Sequence, residues 1–182
     1  LGSSFLEIDR AREVYTQDIR FDSTKTEDAL GIIDRWTAGI YYQSFEEGTE
    51  TSGFGTFNTD YKSETFSIYG QGTHLFSGTT RLIVGLRAEK HDLATEMSFR
   101  PDVDFDDWLF GGKLTLEHDL SEQQTMFASV TRGYKAGGAN IYPFLAASAP
   151  TEYDTEYLWN YELGWRASWL EGKLSTQFTL FY

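Results

Sequence analysis

Between residues 157 and 169 apolar and polar positions alternate almost without a break. Tyr157, Trp159, Tyr161, Leu163, Trp165, Ala167 and Trp169 fall on one parity, and Leu158, Asn160, Glu162, Gly164, Arg166 and Ser168 on the other. Successive side chains of a β-strand point to opposite faces, so the two sets lie on opposite sides of a sheet. A water-soluble sandwich also alternates, but it seldom places so many large aromatics on one face of one strand. Here the aromatics stand at both ends of the apolar face, and the opposite face carries a Glu and an Arg. A transmembrane barrel strand needs that layout, with lipid outside, a polar interior and aromatic girdles at both interfaces. At a tilted rise of roughly 2.4 Å per residue, Tyr157 and Trp169 stand about 29 Å apart along the membrane normal, which brackets an apolar band of ~25 Å.

The same period recurs along the chain. It predicts strands over 15–21, 35–45, 61–76, 81–93, 108–118, 125–135, 157–169 and 173–182. Apolar faces are predicted from Tyr15, Ile19 and Phe21; from Trp36, Ala38, Ile40 and Tyr42; from Leu82, Val84, Leu86 and Ala88; and from Trp108, Phe110, Leu114 and Leu116. Asp18, Arg20, Tyr69, Gln71, Arg87, Glu89, Lys113 and Glu117 are placed on the polar side. Residues 1–11 are ambiguous. The segments 46–60, 94–107 and 136–155 read as long loops, the first for its Gly, Thr and acidic residues and lack of periodicity. The segments 77–80, 119–123 and 170–172 read as short turns. Long loops at one end and short turns at the other is the rhythm of outer-membrane barrels. The connection 22–33 breaks it, being about a dozen residues long on the short side. The predicted fold class is therefore all-β, an antiparallel transmembrane barrel segment of about eight strands.

Composition changes this picture little. The chain has 182 residues, 16% aromatic, with Gly (17) far exceeding Pro (3) and no Cys. Without Cys there is no disulfide framework and no thiolate site. No run of 18 apolar residues exists, so no transmembrane helix is predicted. A mean hydropathy of -0.42 does not oppose a barrel, whose strands are only half apolar. The net charge of -13 makes nucleic acid an unsuitable partner. Because Leu1 is not Met and no signal segment leads the chain, the sequence is expected to be a mature chain or a piece of a longer one.

Few residues suggest chemistry. Asp102, Asp104, Asp106 and Asp107 superficially resemble a calcium loop, but no Gly occupies the turn position and Lys113 stands where the closing Glu belongs. His74, His91 and His118 have no paired spacing, so no metal site is expected. No Ser/His/Asp grouping presents itself, so no enzyme and no cofactor is expected. Glu162 and Arg166 share a polar face, but strand spacing holds them about 13 Å apart. They are expected to pair with neighbouring strands or with a domain filling the barrel. Arg132 is expected at the outer edge of the apolar band, with Tyr134 joining the outer girdle. Lys135 turns inward at the mouth, where it either bonds a neighbouring loop or, with Asn140, lines an entrance for an anionic solute.

The stretch Ser129-Val130-Thr131-Arg132-Gly133-Tyr134-Lys135-Ala136-Gly137-Gly138-Ala139-Asn140 carries a family resemblance. It is similar to the strand ending in a "GYKAGG-N" pattern of TonB-dependent outer-membrane receptors. Glu156 to Gly164, the hairpin Leu170 to Leu174, and the ending Phe181-Tyr182 resemble the elements that follow it there. Gln17 to Ser23 resembles an earlier "QE-R-S" strand with Asp18 in place of Glu, Trp36 to Tyr42 a "W-G-YY" strand, and Val84 to Arg87 a "GLR" strand. These pieces come in family order and cover nearly the whole chain. The resemblance implies TonB-energised uptake of iron–siderophore complexes or a similar scarce solute across the outer membrane of a Gram-negative bacterium. It implies as partners the membrane lipid and lipopolysaccharide, the solute, and the TonB complex. In such receptors about 22 strands surround a plug. Residues 1–182 are accordingly expected to be part of the barrel domain, without the plug or the TonB box. A complete small eight-stranded barrel with a structural or adhesive role, or a soluble β ligand-binding domain, are the alternatives.

Overall fold

The computed structural model describes residues 6–23, 33–53, 55–141 and 149–182. It is an antiparallel sheet of eight strands: β1 (Glu7–Asp22), β2 (Arg35–Ser52), β3 (Thr56–Leu75), β4 (Thr80–Met97), β5 (Val103–Ser121), β6 (Gln124–Lys135), β9 (Glu156–Trp169) and β10 (Leu174–Phe181). Between β6 and β9 a two-residue pair, β7 (Gly138–Ala139) with β8 (Glu152–Tyr153), stands apart from the main sheet. Each strand lies beside its neighbour in sequence, in the order β1-β2-β3-β4-β5-β6-β9-β10, and β1 and β10 do not pair with each other. The sheet is thus an open wall rather than a closed eight-stranded barrel.

The register keeps each alternation on one side. Phe21, Ala38, Gly70, Leu86, Gly112, Arg132 and Trp159 form one cross-strand row. Trp36, Gly72, Val84, Leu114, Val130 and Tyr161 form another on the same face. This apolar face leaves Ile40, Ile68, Leu86, Phe110, Leu163 and Leu180 each between 43% and 67% exposed. So broad an apolar surface is far larger than the patches soluble monomers expose, and it suits hydrocarbon. The other face carries the charges and nearly all the side chains that are buried.

Two predicted loops are strand instead. β2 and β3 continue in unbroken register through residues 46–60 and turn only at 53–55. Likewise β4 and β5 run on until 98–102. Threonines such as Thr49, Thr51, Thr56 and Thr59 favour extended backbone without an apolar partner face. Above the apolar band both sides of a hairpin can meet water, so the membrane's alternation is no longer required. In that upper part the polarity inverts. Asp92, Asp104 and Asp106 share the side of the apolar face, while Leu93, Met97 and Val103 turn the other way and are buried. They form a cluster with Ala139, against which Tyr61, Phe105 and Ile141 pack. Burial raises the Tyr61 hydroxyl pKa above the ordinary tyrosine value. The long-and-short rhythm is therefore one of long hairpins, not long loops. The middle of the connection 22–33, and residues 142–148 of the loop 136–155, lie outside the described residues.

The turn after β9 falls at 170–172, as its residues predict: Leu170 (φ 54°) and Glu171 (φ 56°) are both left-handed and precede Gly172 (φ 86°). A hairpin turn with successive positive φ values follows the right-handed twist of its strands, even at non-glycine positions.

Candidate functional site

The polar face is built by cross-strand neighbours that no single strand reveals. Arg20, Gly39, Tyr69, Arg87 and Gly111 lie in one row across β1 to β5. The next row places Thr37, Gln71, Gly85, Lys113, Thr131 and Asn160 side by side. Glycines punctuate both rows, and aromatic rings occupy the space they leave. A Cβ on Gly39 would stand 2.5 Å from Tyr69 Cζ, and one on Gly111 would stand 3.0 Å from Tyr134 Cε1.

Between these rings is a recess of about 560 Å³ whose lining includes Arg20, Tyr69, Arg87, Lys113, Arg132, Tyr134 and the glycines beside them. No carboxylate lines it among the described residues. The carboxylates stand behind the cations. Asp22 accepts from Arg20 Nε at 3.0 Å, and Glu89 from Arg87 Nη2 at 2.7 Å. Tyr69 donates to Asp18 at 2.8 Å. Tyr134 donates to Glu89 and accepts from Arg87 Nε, both at 3.2 Å. Tyr134 was expected on the outer girdle; its ring crosses to the charged face instead. Pairing of β5 with β6 ends at Gly112–Arg132, and Gly111 offers the ring no side chain to displace.

A second cluster lies nearer the short turns. Arg81 donates to Glu117 and to Asp119, at 2.7 Å each, and Thr125 donates to Asp119 at 2.7 Å. Arg166 donates to the other oxygen of Glu117 and sits 4.9 Å from the Phe127 ring centroid. Glu162 accepts from Asn160 at 2.7 Å, so Glu162 and Arg166 have different partners.

Lys135 Nζ sits 5.1 Å from the Tyr153 ring centroid, at the start of the β7–β8 loop. Asn140 ties the two arms of that loop: its side-chain amide donates to Pro150 O, and its backbone N–H to Thr151 O, both at 2.8 Å. None of Lys135, Asn140, Glu162 and Arg166 lines the recess. The lining residues Arg20, Tyr69, Arg87 and Lys113 had been assigned to the polar side, but only the register reveals that they meet. Arg132 caps the apolar side, donating to Phe110 O at 2.7 Å with its guanidinium 3.8 Å from the Tyr157 ring centroid.

Asp102 accepts from Met97 N, Asp106 from Lys90 and Asp107 from Thr155, so these acids serve the hairpin and the loop. Among the described residues no group of three or more His, Cys, Asp or Glu side chains is arranged to hold a metal ion.

Residues 3–182 match the TonB-dependent receptor-like β-barrel family. The chain belongs to that family. An open sheet with one apolar and one charged face has the layout of a piece of such a barrel's wall. The fold is also similar to that of three solved receptors. They are the ferric yersiniabactin uptake receptor FyuA of Yersinia pestis (TM-score 0.78, 20% identity), the alcaligin outer-membrane receptor FauA of Bordetella pertussis (0.63, 20%) and BauA, the ferric preacinetobactin receptor of Acinetobacter baumannii (0.69, 14%). Each match covers 97% of this chain and 29% of the solved one, so the chain spans less than a third of these receptors' length.

Proposed function

We propose that these residues form part of the barrel wall of an outer-membrane receptor that takes up iron–siderophore complexes, or a similar scarce solute, with energy supplied through TonB. The observation that carries this reading is the division of the sheet. Ile40, Leu86, Phe110 and Leu163 face one side, and Arg20, Arg87, Lys113 and Arg166 the other. A lipid-facing exterior and a charged lumen are what a solute-conducting barrel requires. The family and three siderophore-receptor folds support the same reading. The apolar band would meet outer-membrane lipid and lipopolysaccharide. Other parts of the receptor would supply the plug and the contact with TonB. The loop carrying Lys135 and Asn140 lies at the end of the wall where solute would enter, and Glu162 and Arg166 would face the lumen below it.

The test is uptake. Cells lacking other iron receptors and expressing the full-length receptor should accumulate radiolabelled iron from at least one chelate, and deleting TonB should abolish it. Uptake that persists without TonB, or none from a broad chelate panel, would sink the proposal.

A further inference from the structure

We propose that Arg132 and the aromatic rings around it form a lipid site on the outward side of the wall, taking a phosphate group of an outer-leaflet lipid. The inference rests on the placement of the apolar face against outer-membrane lipid. Alternation puts Lys62, Lys90 and Arg132 on that side, the only Lys or Arg side chains there among the described strands. Two of them are neutralised within the sheet. Lys62 lies 3.5 Å from Glu46 and 3.7 Å from Glu64, and Lys90 pairs with Asp92 at 3.2 Å and with Asp106. Arg132 is answered by no carboxylate among the described residues. Its contacts are the Phe110 carbonyl oxygen at 2.7 Å and the Tyr157 ring, whose centroid is 3.8 Å from the guanidinium carbon. The sequence of residues 142–148, in the loop after β6, holds no acid either. Both strands flanking Arg132, β5 and β9, belong to this chain, so no other strand of the barrel borders the site.

The register builds a frame for such a group. Arg132 lies between Gly112 on β5, which raises no side chain, and Trp159 on β9. Trp159 stacks on Tyr161 with centroids 6.5 Å apart, and Trp108 on Phe110 at 6.4 Å. Trp108, Phe110 and Trp159 are each about half exposed, as rings of an interfacial girdle are. The height agrees as well. Arg132 stands nine residues beyond Gln123, roughly 22 Å at a tilted rise of ~2.4 Å per residue, near the edge of a ~25 Å band. There a cation reaches the headgroup layer rather than hydrocarbon. Capping the Phe110 carbonyl, where pairing of β5 with β6 ends, uses one N–H donor. The charge and the remaining donors are left over, held in one plane by the Tyr157 ring. A planar guanidinium with free donors matches phosphate oxygens in pairs, in a way that an ammonium does not.

The full-length receptor, purified in a non-ionic detergent and stripped of lipid, tests this by native mass spectrometry. The probes are diphosphoryl lipid A, the same lipid with its phosphates removed, and inorganic phosphate alone. The wild-type receptor should hold diphosphoryl lipid A about tenfold more tightly than the dephosphorylated form, the gain from one charge-assisted contact. Arg132→Gln, whose amide can still donate to the Phe110 carbonyl, should carry one phosphorylated lipid fewer than wild type. Lys90→Gln, which alters a cation already paired, should carry as many. Arg132→Lys keeps the charge and should restore the lost lipid, more weakly held. Equal affinity of the wild-type receptor for the two lipids, or an unchanged lipid count in Arg132→Gln, overturns the inference. So does a folded Arg132→Lys receptor that fails to regain the lipid, which would assign the loss to the seam between β5 and β6. Displacement of lipid A by inorganic phosphate would show an ion site rather than a lipid site and overturns it too. TonB-dependent uptake beside equal affinity for the two lipids would leave the transport reading standing while removing this one. Lipid binding that depends on Arg132 without uptake would do the reverse.

Discussion

The ring of Phe127 lies across Gly164, its cross-strand partner, so closely that a Cβ on Gly164 would stand 2.2 Å from Phe127 Cζ. Arg166, two residues along the same face, covers the ring with its guanidinium 4.9 Å from the centroid. Tyr69 over Gly39 and Tyr134 over Gly111 repeat the relationship higher on the wall. The glycine thus serves as a seat for a ring, fixing the aromatic flat against the sheet where it joins neighbouring strands. Gly164→Ala should therefore destabilise the receptor by about 1–3 kcal/mol, as overpacking does. Gly133→Ala, where nothing lies within 4 Å, is the matched control. Denaturant melts of the two variants check this, and equal costs would show that Gly164 is not such a seat. Pairing Gly164→Ala with Phe127→Ala should cost less than the sum of the two single changes.

The two faces of β9 differ in what they tolerate. Leu163 is 50% exposed on the apolar face, where an Arg at the bilayer midplane costs ~2–4 kcal/mol. Arg166 points the other way, and its partner Glu117 keeps Arg81 at 2.7 Å if Arg166 is removed. In the full-length receptor, Leu163→Arg should lower the yield of folded, heat-modifiable barrel far more than Arg166→Ala. Comparable losses would place the lipid on the wrong side of the sheet.

Within the membrane band the sequence was easy to read, because lipid on one side and charge on the other leave a period of two in every strand. Tyr157 to Trp169 shows it most clearly, and eight strands with their faces followed from it. The pattern failed where the solvent changed. Above the band, water meets the side that carried apolar residues, and Asp92, Asp104 and Asp106 occupy it while Leu93 and Val103 turn inward. A reading tuned to lipid takes that inversion for loop. The recess was illegible for a different reason. Arg20, Tyr69, Arg87 and Lys113 come from four strands, and only cross-strand register brings them together. Tyr134 had to be misplaced, since its parity says lipid and only the vacancy at Gly111 draws its ring to the charged side.

Glu117 is 8% exposed and anchors two guanidinium groups, Arg81 at 2.7 Å and Arg166. Removing it strips Arg166 of its carboxylate and leaves Arg81 with Asp119 alone, and losing charge-assisted hydrogen bonds to a buried acid costs about 2 kcal/mol. Asp106, whose side chain is 72% exposed beside Lys90, should matter little, since surface pairs are worth roughly 0–1 kcal/mol. Glu117→Ala should therefore shift the denaturation midpoint strongly and Asp106→Ala hardly at all. A similar shift for both would mean that the Glu117 site is wet enough to screen its charges.

The orientation of the wall follows from its two kinds of ends. The hairpin ends, at 53–55 and 98–102, stand beyond the apolar band on strands that carry acids on both sides of the sheet, with the β7–β8 loop packed beside them. The ends at 76–79 and 122–123 turn directly where the apolar face stops. Long extensions belong outside the cell and short turns in the periplasm. Gly55 and Gly78 make clean reporters, because a Cβ at Gly55 meets only the Phe57 ring, no nearer than 3.5 Å, and one at Gly78 meets nothing within 4 Å. The described sequence has no Cys to interfere. On intact cells expressing the receptor, an impermeant thiol reagent should label Gly55→Cys and leave Gly78→Cys untouched until the outer membrane is permeabilised. Labelling of Gly78→Cys alone would turn the wall upside down, placing the loop of Lys135 and Asn140 in the periplasm and removing it from the path of an incoming solute.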